Sequence, residues 1–379
     1  MLTLLLRRGA VSALLFIPLI FAGCLATSPV ETPLPPGLTL APVAAQLLPQ
    51  SPVAVTADGA LLALVRREGL FLRPLPGGIE KKLSVDLPVT LAFNPSGTEL
   101  AAAFVTADGS RLRRYATSNS EILAEISFPG RCDVLLNREG EWLAFVTTME
   151  IFRFGGNLSS RLLRWDGEHA PAESLLNNMT LYHPILAEKG DLSATLRPQL
   201  SPHGDEILFL RLHDPPAFAP YLAVVLRHLE TGSERLVAKL PQLSGAAMYL
   251  DGGELVAYGD GIDLVRIFDP WSEKEYQRLA RPGQLLAAPP AGETLWIDET
   301  LLRRDGQLLL NVAKQAQPVS FLGGGRLLLR DKERLWLLSG LPAATEETPG
   351  RDSEQLRLLR KWRAAGLIDE REYTERAER

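Results

Sequence analysis

Five histidines, His169, His183, His203, His213 and His228, are the residues to weigh first for metal binding or proton transfer. None stands in an HExxH run or another close ligand pair. His213-Asp214 sets an imidazole beside a carboxylate at the mouth of a proline-rich loop that ends at Tyr221. Such adjacency is also common by chance. Asp260-Gly261-Ile262-Asp263 offers oxygen ligands but lacks the twelve-residue calcium-loop pattern, and a hairpin turn explains it better. No serine sits in a GxSxG elbow, and Gly323-Gly324-Gly325 lacks the Lys-Ser ending of a phosphate loop. Cys132 lies beside an apolar strand and reads as a buried thiol. These residues name no catalytic group, no metal ligand set and no cofactor. A carboxylate pair assembled from distant segments stays open.

Aromatics number six Trp, seven Tyr and thirteen Phe in 379 residues. Trp142, Trp296 and Trp336 follow turn glycines and are expected to pack between sheets. Trp165 and Trp271 lie near loop signals and are the candidates for exposed contacts, with a core position as the alternative. The formal net charge is −5, and charged residues are not gathered in blocks. That balance argues against a nucleic-acid protein, which needs a basic surface. Two cysteines, Cys24 and Cys132, cannot build a disulfide scaffold.

The elements that must carry these residues begin with a leader. Arg7 and Arg8 precede the uncharged run Gly9 to Phe21, which is too short to span a bilayer comfortably. Small residues Ala22 and Gly23 then precede Cys24. Phe21-Ala22-Gly23-Cys24 resembles the lipobox of bacterial lipoproteins. The resemblance implies cleavage before Cys24 and attachment of membrane lipid to it. Leucine is the commoner residue where Phe21 stands. An ordinary signal or an uncleaved anchor are the alternatives. Leu25, rather than aspartate, follows the cysteine. In enteric-type sorting that favours the outer membrane, facing the periplasm, with surface exposure as a variant. Residues 24–50 hold six prolines between Leu25 and Gln50 and read as a proline-rich tether whose latter part packs on the folded body.

From Ser51 a phrase recurs: a short apolar stretch, a glycine turn, a second apolar strand, and a third with arginines or aromatics. VTLAFNPSG runs into TELAAAFV and SRLRRYA; VLLNREG runs into EWLAFVTT; AMYLDGG runs into ELVAYG. The turn glycines fall at 59, 97, 140, 204, 253, 292 and 324 or 325. This spacing suits blades of four short strands, and positive φ suits glycine at each hairpin. Each such unit buries a face only against its neighbour, so a closed ring is expected over residues 51–342. Seven blades are preferred, with six or eight as alternatives. The wide interval from Gly140 to Gly204 leaves room for a divergent blade. Gln199-Leu200-Ser201-Pro202-His203-Gly204-Asp205-Glu206-Ile207-Leu208-Phe209 resembles the SPDG phrase of TolB-like (PD40 or WD40-like) propeller repeats, with His203 where that family has aspartate. The fold class is therefore all-β.

After a linker at 343–350, composition changes. Residues 351–379 predict a helical hairpin, with Leu356, Leu359 and Trp362 on one face and Asp369 capping a second helix ahead of Glu372 and Tyr373. LRLLRKWRAAGLIDEREYTERA resembles the short SHOCT-type module, which implies oligomerisation or interaction. A plain helical cap on the last blade is the alternative.

Three functions follow as expectations. The first is a lipid-anchored envelope lipoprotein whose propeller is a non-catalytic interaction or assembly module, with envelope proteins as partners. Its candidate contacts are Trp165, His213, Tyr221, Trp271, Leu356, Leu359, Trp362 and Tyr373, and its lipid site is Cys24. The second is a propeller enzyme or carbohydrate-binding lipoprotein with a central site. The third is a structural protein made a homo-oligomer by the hairpin.

Overall fold

A computed structural model describes residues 28–30, 33–75, 77–136, 140–152, 155–165, 174–182, 198–201, 204–213, 219–241, 245–250, 253–259, 264–270, 274–282, 285–289, 293–342, 359, 368–369 and 371–373. Among them, twenty-eight strands form seven antiparallel sheets of four. β1 (Thr39–Ala44) comes first in the chain but ends up in the last sheet. Blade 1 is β2 (Ala54–Val55), β3 (Leu61–Arg66), β4 (Gly69–Pro74) and β5 (Lys81–Ser84). Blade 2 is β6 (Pro88–Phe93), β7 (Glu99–Thr106), β8 (Gly109–Ala116) and β9 (Ile122–Phe128). Blade 3 is β10 (Arg131–Leu136), β11 (Trp142–Phe152), β12 (Gly155–Trp165) and β13 (Ser174–Tyr182). Blade 4 is β14 (Gln199–Leu200), β15 (Glu206–His213), β16 (Tyr221–His228) and β17 (Glu234–Leu240). Blade 5 is β18 (Ala246–Leu250), β19 (Leu255–Gly259), β20 (Leu264–Asp269) and β21 (Lys274–Pro282). Blade 6 is β22 (Leu285–Ala287), β23 (Thr294–Ile297), β24 (Thr300–Arg303) and β25 (Leu308–Asn311). Blade 7 is β26 (Ala316–Leu322), β27 (Arg326–Asp331) and β28 (Arg334–Ser339), completed by β1. Among the described residues, the interval between Gly140 and Gly204 holds β11, β12 and β13 of blade 3, the first two eleven residues long, and β14 of blade 4.

The second strand of each blade shows why the units form a ring. Leu62, Ala63, Leu64 and Val65 are all buried, although side chains alternate faces along a strand. Both faces must therefore be covered. Ala63 and Val65 meet Leu100, Ala102 and Phe104 of blade 2. Leu62 and Leu64 turn the other way and meet Leu328 and Leu335 of blade 7. The same division continues around the molecule, giving seven hydrophobic clusters among the described residues, one at each junction between blades. Each fully buried leucine contributes roughly 1.5–3 kcal/mol. The innermost strands follow in order, and β26 returns to β2. Seven blades, closed on themselves, are thus the architecture.

The turn glycines lie between first and second strands as the repeats require. Gly59, Gly97, Gly140, Gly204, Gly253 and Gly324 have φ of +73, +70, +82, +78, +102 and +72°. Residues with a Cβ rarely adopt that region.

β1 closes the ring. It pairs antiparallel with β28, from Thr39↔Ser339 to Ala44↔Leu335, so the first strand of the chain becomes the outer edge of the last blade. Pro42 is tolerated there because an outer strand need not donate on its free side, and the register shifts between Pro42 and Ala44. The folded body thus starts upstream of residue 51, inside the segment whose prolines suggested a tether. Residues 28–30 belong to it as well. Val30 is buried and bridges to Val312, and the Ala313 N–H donates to the Pro29 carbonyl at 2.8 Å. Leu34 and Leu38 pack on the cluster between blades 6 and 7.

The expected C-terminal helical hairpin is overturned. Among the described residues the only helix is the single turn Arg371–Tyr373, with one further helical residue at Leu359. The Asp369 cap does form: its Oδ1 accepts the Glu372 N–H at 2.7 Å. A cap adds about 1 kcal/mol, whereas a short helix carries a nucleation cost that needs length or packing to offset. With the hairpin goes the SHOCT-type reading, and with that the basis for hairpin-driven self-assembly. Leu359 and Ile368 are nonetheless buried. Leu356 and Trp362 lie outside the described residues.

Leu64→Ala should lower unfolding free energy by about 2–5 kcal/mol in urea titration, because it empties the junction between blades 7 and 1. Leu236→Ala, at a position 53% exposed, should change it by no more than about 0.5 kcal/mol.

Candidate interaction face

Every blade is a meander, so its connections sort to two sides of the ring. Turns between first and second strands, and between third and fourth, lie on one side, here called the turn face. Turns between second and third strands, and the crossings to the next blade, lie on the other, the connector face.

The connector face holds a cleft of about 540 Å³. Its walls are the crossing into blade 1 (Leu48, Pro49, Pro52), the crossing into blade 2 (Leu87, Pro88, Val89) and the β7–β8 hairpin (Val105, Gly109). Leu87, Val89 and Val105 are 43, 38 and 66% exposed, so apolar surface lies open to solvent at its rim. The polar groups are few: Gln50, Ser51, Ser110 and the half-exposed Arg131 at the start of β10.

Each wall is fixed by identifiable contacts. In the first crossing, Ser51 Oγ donates to the Leu48 carbonyl at 2.6 Å. The buried Arg330 guanidinium donates to the Leu48 and Ser51 carbonyls from blade 7, and its Nε reaches the Lys332 carbonyl at 2.9 Å. Burial lowers the Arg330 pKa. The hairpin depends on Gly109, whose φ is +144°: a Cβ there would stand 2.1 Å from the Phe128 carbonyl oxygen. Ser110, buried below it, accepts the Cys132 N–H at 3.2 Å and so joins blade 2 to blade 3. Arg131 Nε lies 3.8 Å from Asp133 Oδ2.

Cys132 itself is fully buried, and burial, reinforced by the Asp133 charge, pushes its thiol far up. A thiol held protonated is packing material, not a nucleophile.

Of the residues singled out in the sequence, His213 and Tyr221 come together. They face each other across β15 and β16 and stack with ring centroids 5.0 Å apart and planes 6° from parallel. Lys239 Nζ lies 5.3 Å from the Tyr221 ring centre. Burial lowers the His213 pKa, with Arg211 and Lys239 adding to the shift. The stack sits at the connector end of blade 4. Asp214 lies outside the described residues, so no His-Asp pair is read there.

Trp165 is 2% exposed and belongs to the core between blades 2 and 3, with the Arg114 guanidinium 5.8 Å from its ring centre. Buried on both sides, it offers no contact surface. Trp142, Trp296 and Trp336 are buried as expected. Tyr373 lies in the single C-terminal turn. Cys24 and Trp271 lie outside the described residues. Among the described residues no group of three or more His, Cys, Asp and Glu could hold a metal ion. No described helix is long and apolar enough to cross a membrane.

The cleft residues Leu87, Val89 and Val105 were missed in sequence. They sit at strand ends next to Pro88 and Asp108, where an apolar residue looks like any other strand residue.

Seven four-stranded blades closed into a ring define a seven-bladed β-propeller. No family model matches the chain. No curated protein matches it. Solved structures do. The chain is similar to Kuenenia stuttgartiensis hydrazine synthase at 14% identity, over 82% of this chain and 97% of that one, with a TM-score of 0.52. It is also similar to the Cps50 (Swd1) β-propeller domain of Myceliophteria thermophila at 13% identity, over 79% and 99%, with a TM-score of 0.49. At such identities the likeness is one of fold alone.

The His213 imidazole should titrate with a midpoint below its ordinary 6.5 when followed by NMR. The folded protein takes up this proton less readily than the unfolded chain. Stability should therefore be full above pH 6.5 and fall as pH drops through the folded midpoint. His213→Gln should flatten that acid-side loss in urea titrations on either side of the transition.

Proposed function

We propose that this protein is a lipid-anchored component of the bacterial envelope whose propeller is a non-catalytic binding module. One observation carries the binding role: the open cleft on the connector face, walled by three successive connections. A cleft lined by both apolar and polar groups suits recognition of a partner side chain or segment. The prolines and the Arg330 clamp hold those walls in place beforehand, which lowers the ordering cost of binding. Support for the envelope location is the leader with Phe21-Ala22-Gly23-Cys24, and Leu25 favours the outer membrane facing the periplasm. Attachment of more than one acyl chain at Cys24 gives firm anchoring, since one chain binds only marginally. The partner class is envelope proteins.

A photo-crosslinking amino acid placed at Leu87 or Val105 in cells should capture a discrete envelope protein, while one at Leu308, on the turn face, should not. Adducts that are absent at both cleft positions, or equally abundant at Leu308, contradict the assignment. Val105→Asp in a protein crosslinkable at Leu87 should reduce the adduct several-fold. Separately, Cys24→Ser should move the protein from the membrane fraction to the soluble fraction; retention of the variant in membranes contradicts lipid attachment.

A further inference from the structure

The place where the chain enters the ring, combined with lipid attachment at Cys24, limits which side of the propeller can meet the membrane. Among the described residues, the first held by the body are Pro29 and Val30. The Pro29 carbonyl accepts the Ala313 N–H at 2.8 Å, Val30 bridges to Val312, and the Val30 side chain is 7% exposed. Val312 and Ala313 form the crossing from β25 to β26, which lies on the connector face. From there the chain must reach the opposite side before Thr39, because Thr39 pairs with Ser339 at the turn-face end of β28. The entry point is therefore on the connector face, at the junction of blades 6 and 7.

Only five residue steps separate Cys24 from Pro29. Fully extended, they span at most about 18 Å. β26, which follows Ala313 into blade 7, has seven residues and is about 24 Å long, so its turn-face end lies farther from Pro29 than this leash can reach. With acyl chains in the bilayer, the turn face cannot lie flush on the membrane. The proline-rich stretch does not act as a long spacer, because most of it is consumed in closing the ring.

We infer that the mature protein is held with its connector face directed at the lipid surface. This rests on lipid attachment at Cys24 and adds a direction to it. The face brings little electrostatic pull of its own. Its turns mix Arg67 with Glu68, and Lys332 with Glu333, and add Asp108, Asp298 and Glu299. Among these turn residues the acidic groups outnumber the basic ones, five to two, so charge does not draw this face to an anionic bilayer; acyl anchoring and the short leash set the orientation. The exposed Val85, Leu87, Val89 and Val105 then lie within the narrow space between propeller and bilayer.

The test uses the acylated full-length protein in phosphatidylcholine and phosphatidylglycerol vesicles carrying a headgroup-attached nitroxide. A fluorophore is placed at Asp108→Cys or Glu333→Cys on the connector face, or at Ile79→Cys or Asn119→Cys on the turn face. Cys132 is buried and Cys24 is blocked by lipid, so each variant has one reactive thiol. Both connector-face labels should be quenched several-fold more strongly than both turn-face labels. Equal or reversed quenching in protein whose mass confirms acylation overturns the orientation and leaves lipid attachment standing. A mass showing no lipid on Cys24 overturns both.

Discussion

Closure of the ring by β1 is the constraint on which the rest depends. Each blade buries both faces of its second strand, so no blade is stable without two neighbours. Six junctions form between consecutive blades. The seventh joins the ends of the chain, and it is secured by more than apolar contact. β1 lends blade 7 its outer strand. Leu47 is buried at the junction, with its N–H on the Glu333 carbonyl at 2.9 Å. The Leu48 N–H then reaches across to the Val65 carbonyl of blade 1 at 2.9 Å. Arg330 and Arg66 complete the tie from either side, donating to carbonyls of Ala45, Leu48 and Ser51. Buried guanidinium groups are costly unless their donors are satisfied, and here backbone carbonyls serve that purpose.

The same segment that closes the ring builds the candidate site. Residues 48–52 are at once the crossing into blade 1 and one wall of the cleft. A wall made from the closure element is rigid for as long as the ring is intact, so binding and global stability are coupled there. On the flanks, a different device recurs. Glu80 is gripped by Arg66 and Arg73, and Glu234 by Arg211 and Arg227, in each case from the second and third strands of the same blade. These pairs are partly exposed and worth little individually. They hold outer strands in register, and the Glu234 carboxyl is kept ionised below its usual range by Arg211.

Much of the architecture was legible in the chain. The repeat of apolar run, glycine turn and apolar run located the first and second strands of nearly every blade, because a hairpin needs positive φ and a doubly covered strand needs a continuous apolar run. The ends were less legible. Pro42 in a strand and the prolines at 49 and 52 look like linker, since proline cannot serve an inner ladder; at an outer edge and in a crossing it can. At the C-terminus the heptad-like spacing of Leu356, Leu359 and Trp362 suggested helix on local grounds, and the Asp369 cap forms for the same local reason. Among the described residues a single turn follows it, and local signals alone do not supply the packing that sustains a longer helix. Trp165 misled for a related reason: a neighbouring Asp-Gly turn suggested exposure, while the ring orientation of the strand end faces the adjacent blade.

By itself the sequence determined the blade phrase and the glycine turns, because these depend on residue type and near neighbours. Tertiary structure decided how the ring closes, which side the chain enters from, and that Leu48, Leu87 and Val105, far apart in sequence, share one cleft. Those outcomes depend on which faces remain uncovered once seven sheets have packed. Burial of that kind is a property of the whole ring, and no local stretch of residues carries it.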